Sequence, residues 1–578
     1  MDTELLPAEV ARAPRRPAPN VGYGRGRCTY IRRQPEHTVL HRVIREHLET
    51  FLAEARLRGG GEGLPRFVEC ELREFLTCGV LAEGFARFRC GDCQREILVA
   101  FSCKGRGFCP SCCGRRMAEL AAHLVDGVLG GLPVRQWVLT LPHRLRYALA
   151  WDHRLCRAVL AVFVRAVLSF ERRRAHRRGA PGGVGGAVTA IQRFGSALNT
   201  NVHFHTLAVQ GVFVEHADGT LRFAPAPAPT DVEVARLLTA VRRRIVRLVA
   251  RHGIDLEDPS NEGEPTDERL FECPAYAAIQ GAAVLGRVAT GPRAGATVVR
   301  IGRDPTAPVV MSSGPLQADI EGFDLHASVA VPAGDRARLE HLCRYVLRPP
   351  IAQEAIEWTL GGKVLLRLRR PWRDGTRAIC FEPTQLLEKL AAMIAKPRVN
   401  LLVYHGVFAP HARRRGDAVR RAQEGAEHLA VPQTAGGESG GVAAGAAAAA
   451  DRGAMPSASP AGSGAPPLAD APAVDTDPTA ATPRPPPPSE GYTRPKHYAW
   501  ADLLRRTFAI DVLACPDCGG RLRLLATIED SAVVEKILRH LGLPVEAPTP
   551  APARAPAWLS GSLPGFDGTP DPAGVWPH

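Results

Sequence analysis

Residues 187–214 read AVTAIQRFGSALNTNVHFHTLAVQGVFV. Two runs in this stretch, 187–194 and 201–214, read as β-strands. In the second, His203 and His205 flank Phe204. Residues i and i+2 of a strand face the same side, so both imidazoles can hold one divalent ion while Phe204 points into a core. A pair of half-exposed histidines on a strand is the commoner meaning of such a pattern, so the metal reading needs a nucleophile and a DNA-binding context beside it.

Working outward, a Gly-rich turn at 179–186 precedes the first run. Before it come a long helix over 154–174 and a strand beginning at Arg135. After the second run, 231–251 reads as a helix and 255–320 as an insertion with Gly-Pro turns. A helix over 335–346 stops before Pro349 and Pro350. Strands at 363–369 and 376–381 and a helix at 384–395 follow. Strands mixed with helices predict an α/β or α+β core, and we take α+β.

The chain has 578 residues, 45% hydrophobic and 23% charged, which excludes a wholly disordered chain and a membrane bundle. The longest apolar run, 158–170, is broken by Arg165 and cannot cross ~30 Å of hydrocarbon. The N-terminal residues show no apolar core of a signal peptide, so a cytoplasmic protein with no membrane partner is expected. Lys plus Arg total 73 against 59 acids, only six of the 73 being Lys. Arg forks fit phosphate geometry, but a GC-rich coding sequence gives the same bias, so charge alone leaves nucleic-acid binding open.

Six segments are expected. They are a loose arm (1–34), a helix plus Cys-rich module (35–130), a core domain (131–415), a low-complexity linker (416–490), a small CxxC module (491–545) and a disordered tail (546–578). Of 15 cysteines, eight lie between Cys70 and Cys113. Cys90-Gly-Asp-Cys93 and Cys109-Pro-Ser-Cys112, 15 residues apart, match paired zinc knuckles. Joined, they predict one closed four-thiolate site, which makes a structural Zn²⁺ rather than a catalytic one. Cys78, Cys103 and Cys113 are then spare. Cys515 and Cys518 supply half a site, open to His540, to an intermolecular partner or to no use at all. Lys104, Arg106, Arg115 and Arg116 have no acid among them between 103 and 116, a rim suited to DNA phosphates or a plain solvated face.

Tyr345 is one of eight tyrosines. It sits on the 335–346 helix between Arg344 and Arg348, cations that favour phenolate and bind phosphate. Read alone, it is equally a core tyrosine with a bonded hydroxyl.

Taken in order, FSCKGRGFCPSC, QRFGSALNTNVHFH, RYVLRPPIA and NLLVYHGVFAPHARRR resemble the transposases of the insertion-sequence-91 group, over roughly residues 36–415. The resemblance implies an antiparallel sheet of the HUH-endonuclease type flanked by helices and preceded by a zinc-binding domain. It also implies rolling-circle-type transposition of single-stranded DNA at element ends, through a 5′-phosphotyrosine. On that resemblance His203 and His205 would hold Mg²⁺ or Mn²⁺ and Tyr345 would be the nucleophile, with the protein on the nucleoid when DNA-bound. Founding members carry two tyrosines four residues apart, whereas here the first place is His341. That implies a single-tyrosine cycle or a dimer in which each protomer supplies one Tyr, Tyr404 being a remote substitute. Gln192 and Gln353 are candidates for a third metal ligand, each equally an ordinary hydrogen-bonding amide. His405 and His411, ahead of Arg413–Arg415, read as DNA contacts. Two alternatives stand beside this reading: a replication initiator or relaxase of the same chemistry, and a non-catalytic zinc DNA-binding protein from a decayed element.

Overall fold

The computed structural model describes residues 32–256, 273–306, 314–424, 498–508 and 511–554. The fold is a mixed α+β arrangement. Its centre is a seven-stranded, wholly antiparallel sheet in the order Leu402–Gly406, Gly186–Phe194, Thr200–Val209, Val134–Thr140, Phe323–His326, Gln317–Ile320, with Ala330–Val331 also paired to Val134–Thr140. Thr200–Val209, the strand bearing His203 and His205, lies between two full-length neighbours and so exchanges backbone hydrogen bonds along both edges.

The run 201–214, expected as one strand, is two: Thr200–Val209 and Gly211–Glu215. Gly211, at φ 151°, makes the break. A Cβ there would stand 2.3 Å from the Ala224 carbonyl oxygen, so only glycine lets the chain leave the sheet and pair with Leu221–Pro225.

Period-two alternation gives the sheet two unlike faces. Val202, Phe204, Ala208, Ile191 and Trp137 point to one face. Helices His153–His176 and Asp231–Ala250 cover it, through stripes including Val159, Phe163 and Phe170 and Val234, Val241 and Ile245. The opposite face carries Val188, Ala190 and Leu207. It is covered by Pro110–Leu124, the π-helical turn that continues it to Leu129, Arg336–Val346 and Arg415–Gln423. Arg415–Gln423 enters the stretch expected as linker, and the rest of that linker lies outside the described residues, as do 1–31 of the expected arm and 555–578 of the tail.

A second sheet, Ile356–Trp358, Val364–Arg367, Ala378–Phe381 and Val299–Ile301, is fully antiparallel. It shares a core with helices Val39–Arg58, Arg66–Thr77, Pro274–Val284 and Pro383–Met393. A third, three-stranded sheet joins the hairpin Phe85–Cys90 and Glu96–Ala100 to Leu522–Ile528 from the C-terminal region. No helix among the described residues is long and apolar enough to cross a membrane.

Candidate active site

The helix Arg336–Val346 begins where Asp335 accepts the backbone N–H of Arg338 at 3.0 Å, a side-chain N-cap. It runs into Pro349 and Pro350. Leu339, Leu342, Cys343 and Val346 form its buried stripe. His341 and Tyr345, one turn apart, lie off that stripe and are exposed. Tyr345 is 43% exposed, accessible enough for a polymeric substrate.

The Tyr345 ring stands edge-on to His205, with ring centroids 6.2 Å apart at 86°, and the His203 ring lies 4.9 Å from that of His205. Both histidines are buried, at 8% and 4% exposure. Burial, with Arg348 nearby, pushes His203 down to about 4 and His205 down to about 2, so both imidazoles are neutral at pH 7. The Nδ1 of His203 lies 2.8 Å from the Asn201 carbonyl oxygen and donates to it. The Nδ1 of His205 lies 2.8 Å from the side-chain amide of Gln136. The amide Nε2 faces this nitrogen and donates to it, which places the His205 proton on Nε2; a half-turn of the Gln136 amide presents its oxygen instead, moves that proton to Nδ1 and frees the Nε2 lone pair for an ion. An outer partner on Nδ1 is how ligand histidines are held to a metal. The His205 Nε2 is buried with no partner.

Gln192 pairs directly with His203 across the two strands and so stands on the same face. Its Nε2 donates to the Val346 carbonyl at 2.5 Å, tying the sheet to the end of the Tyr345 helix. Its Oε1 is buried without a partner. A free imidazole nitrogen and a free amide oxygen on adjacent strands fit a divalent ion. Among the described residues, the clusters of three or more His, Cys, Asp or Glu are all cysteine, so no carboxylate completes this centre. The Gln353 Nε2 is also buried without a partner, and the structure records no contact between it and the histidines.

Arg348 lies over the Tyr345 ring, its Cζ 4.5 Å from the centroid, and donates to the Tyr345 carbonyl at 3.0 Å. Arg344, expected at DNA, faces elsewhere. It bonds Glu340 and reaches the carbonyls of Arg506 at 3.3 Å and Thr507 at 3.4 Å. Glu340, four residues earlier on the helix, was the available signal for this pairing. Tyr404 packs beneath the Arg415 guanidinium on the edge strand. Its neighbour His405 sits beside Arg157 of the helix on the opposite face, so neither joins the histidine pair.

The cysteines divide differently from the expected set of Cys90, Cys93, Cys109 and Cys112. Cys109 and Cys112, at the start of helix Pro110–Leu124, meet Cys78 and Cys103. The Sγ separations are 3.6 Å for 78–109, 3.7 Å for 78–112 and 3.5 Å for 103–112. Cys90 and Cys93, on the Phe85–Ala100 hairpin, meet Cys515 and Cys518. A CxxC turn supplies two corners of a tetrahedron wherever it sits, so spacing alone cannot say which two turns share an ion. Four sulfurs about 2.3 Å from a zinc ion stand about 3.8 Å apart, close to the separations seen. Lys104 and Arg115 are exposed and Arg116 is half-buried. The Arg106 guanidinium reaches the Val399 carbonyl at 3.5 Å.

Sequence reasoning missed Gln136 and Arg506. Nothing local marks either residue, because each acts across more than 60 positions.

Residues 43–141 match the family described as "Transposase zinc-binding domain", and residues 186–416 match the family described as "Putative transposase". No curated protein and no solved structure matches the chain. The first match holds the whole Cys78–Cys112 quartet and the second holds His203, His205, Gln192 and Tyr345. With the two in this order on one polypeptide, the chain belongs to the insertion-sequence-91 family of transposases, DNA-processing enzymes with an N-terminal zinc-binding domain.

Proposed function

We propose that this transposase nicks and rejoins single-stranded DNA at element ends, with Tyr345 as the nucleophile and His203, His205 and Gln192 as the ligands of a Mg²⁺ or Mn²⁺ ion. The ion, when bound, polarises the scissile phosphate. Tyr345 Oη forms a bond to phosphorus while the bond from phosphorus to the 3′-oxygen breaks. The phenol proton leaves to solvent, and the departing oxygen takes up a proton to become a 3′-hydroxyl. The 5′-phosphotyrosine left behind is a diester, so attack by a later 3′-hydroxyl reverses the step and joins the strand elsewhere.

The observation that carries this reading is the meeting of Tyr345 with His205 at 6.2 Å, on a face where the imidazole nitrogen and the Gln192 oxygen have no other partner. Arg348 over the phenol supplies a cation for the phosphate. Because His341 holds the preceding turn of the helix, one Tyr serves each site. Lys104, Arg106, Arg115 and Arg116 bind phosphates along the incoming strand, and Cys78, Cys103, Cys109 and Cys112 hold a structural Zn²⁺.

The test is a denaturing gel of the protein incubated with a labelled single-stranded element end and Mn²⁺. Wild type forms a covalent protein–DNA band, and Tyr345→Phe, which keeps the ring and loses the hydroxyl, forms none while still shifting DNA on a native gel. A band that survives in Tyr345→Phe would sink the assignment.

A further inference from the structure

We propose that Cys90, Cys93, Cys515 and Cys518 form a second structural zinc site, which clasps the C-terminal module to the N-terminal hairpin so that helix Trp500–Phe508 braces the helix carrying Tyr345. Only the last clause rests on the reading of Tyr345 as nucleophile.

The clasp stands on geometry. Cys90 Sγ lies 3.5 Å from Cys518 Sγ, and Cys93 Sγ lies 3.5 Å from Cys515 Sγ. All four sulfurs fall within 4.8 Å of one another. These separations are too long for disulfides and suit the edges of a thiolate tetrahedron. The two halves are matching turns at the ends of paired strands. Cys90 N–H donates to Arg95 O at 2.8 Å and Cys515 N–H donates to Gly520 O at 2.7 Å, while Gly520 N–H points at Cys518 Sγ at 3.4 Å. Between them Gly91 N–H donates to Arg521 O at 3.1 Å, and Arg95 bonds Asp517 at 2.6 Å. At Gly520 a Cβ would meet the Asp92 carboxylate at 2.0 Å and Cys90 Sγ at 3.0 Å, which shows how closely the two turns approach. Phe85–Cys90 pairs with Leu522–Ile528 throughout.

The apolar contribution beneath is small. Leu81, Phe85 and Leu98 meet Val534 and Leu538, with partly buried neighbours such as Ile528 and Ile537 around them, and a core this small gains much from a staple. A four-thiolate zinc site adds folding free energy on this scale.

The brace follows from what the clasped module carries. Arg506 binds both carboxylate oxygens of Asp126 and donates to Glu340 at 2.8 Å. Tyr498 donates to Asp126 at 2.7 Å. Asp126 lies just past helix Pro110–Leu124, and Glu340 lies on the Tyr345 helix, five residues before the tyrosine. Arg506 is therefore a positioning residue that links the zinc-binding domain to the nucleophile helix.

Zinc content of the full chain, with iodoacetamide labelling mapped by mass spectrometry, tests the clasp. Both quartets should fill, giving two zinc ions per chain. Cys93 and Cys518, although exposed, should stay unlabelled until a chelator is added, and then react together with Cys90 and Cys515. The C515S/C518S double substitution should halve the zinc and leave Cys78, Cys103, Cys109 and Cys112 protected. Labelling of Cys93 or Cys518 in the untreated wild-type chain, which needs no variant to fold, overturns the clasp, as does unchanged zinc in the double variant. For the brace, Arg506→Ala should keep both zinc ions and DNA affinity while covalent-adduct formation slows about tenfold, as small misplacements of a reacting group do, and Arg506→Lys should recover part of the rate. An unchanged adduct rate overturns the brace and leaves the clasp standing. A covalent band in Tyr345→Phe would overturn the nucleophile instead, with zinc content unaffected.

Discussion

The two faces of the central sheet are cut from the same strands, yet around Phe204 they share almost nothing chemically. On one, Phe204 is fully buried and stacks on Phe163 with centroids 6.3 Å apart. Trp137 meets Phe170 edge-on at 5.6 Å. On the other, one residue to either side of Phe204, the buried groups are His203, His205, Gln192 and Gln136. All four make polar contacts to backbone or to one another, and two of them, His205 and Gln192, keep an atom unpartnered. An unpartnered polar atom in a buried place costs free energy. The Nδ1 contacts of the two histidines hold the imidazoles in place, and the apolar face fixes the strand that carries them. At this end of the strand, labour is divided by residue parity, Val202 and Phe204 holding position and His203 and His205 holding chemistry.

That division can be broken from either side, and the larger effect is on the apolar face. Phe204→Ala removes a fully buried ring stacked on another, and should cost about 3–5 kcal/mol of stability in denaturant titration. The folded fraction should still form the covalent DNA adduct. A cost below about 1 kcal/mol would mean that Phe204 is not a core residue and that the two faces are not unlike. On the polar face, His205→Ala should reverse the pattern. Adduct formation should fall about 10²-fold or more, since a ligand of the phosphate-polarising ion is lost. Stability should change little, because the side chain removed carries an unpartnered Nε2. A variant that unfolds before it loses activity would make His205 a structural residue.

Parity is also what made this region legible from sequence. The alternation through VHFH placed His203 and His205 on one side and Phe204 on the other without any structural knowledge, and the structure keeps that arrangement. The helix bearing Tyr345 was legible because its apolar stripe recurs at three and four and two prolines end it. What was not legible depends on distance along the chain. Cys78 and Cys103 were seen as spare and Cys515 and Cys518 as half a site, because a knuckle declares two ligands and is silent on the other two. The strand Leu522–Ile528 completes a sheet begun more than 400 residues earlier, and no periodicity encodes such a partner. Arg344 pairs with Glu340 inside one helical turn, a contact that the four-residue spacing of the two already carries in the sequence.

The smallest effect concerns an acid buried on the apolar face. Glu171, on helix His153–His176, is fully buried, and neither carboxylate oxygen has a hydrogen-bond partner. Burial pushes its carboxyl up to about 7, against the opposing pull of Arg174 and Arg135, and Glu233 adds to the rise. The two guanidiniums bond elsewhere, Arg135 to Ala327 O and Gln210, Arg174 to Ala228 O and the Glu233 carboxylate, and Arg135 Nε and Arg174 Nη1 are buried without a partner. In the unfolded chain the same carboxyl ionises near pH 4.3. Between about pH 4.3 and 7 the unfolded state has therefore lost a proton that the folded state keeps, so stability falls as pH rises through that window. Glu171→Gln removes this fall. Its stability should run flatter than wild type between pH 4.5 and 7 and exceed it at pH 8 by on the order of 1 kcal/mol, the gain being trimmed by lost attraction to the arginines. Denaturant midpoints across that range would show it. Parallel curves for the two proteins would mean that Glu171 is ionised in the fold and paired with Arg135 and Arg174, and the contrast between a dry face and a chemical face would then have to be given up.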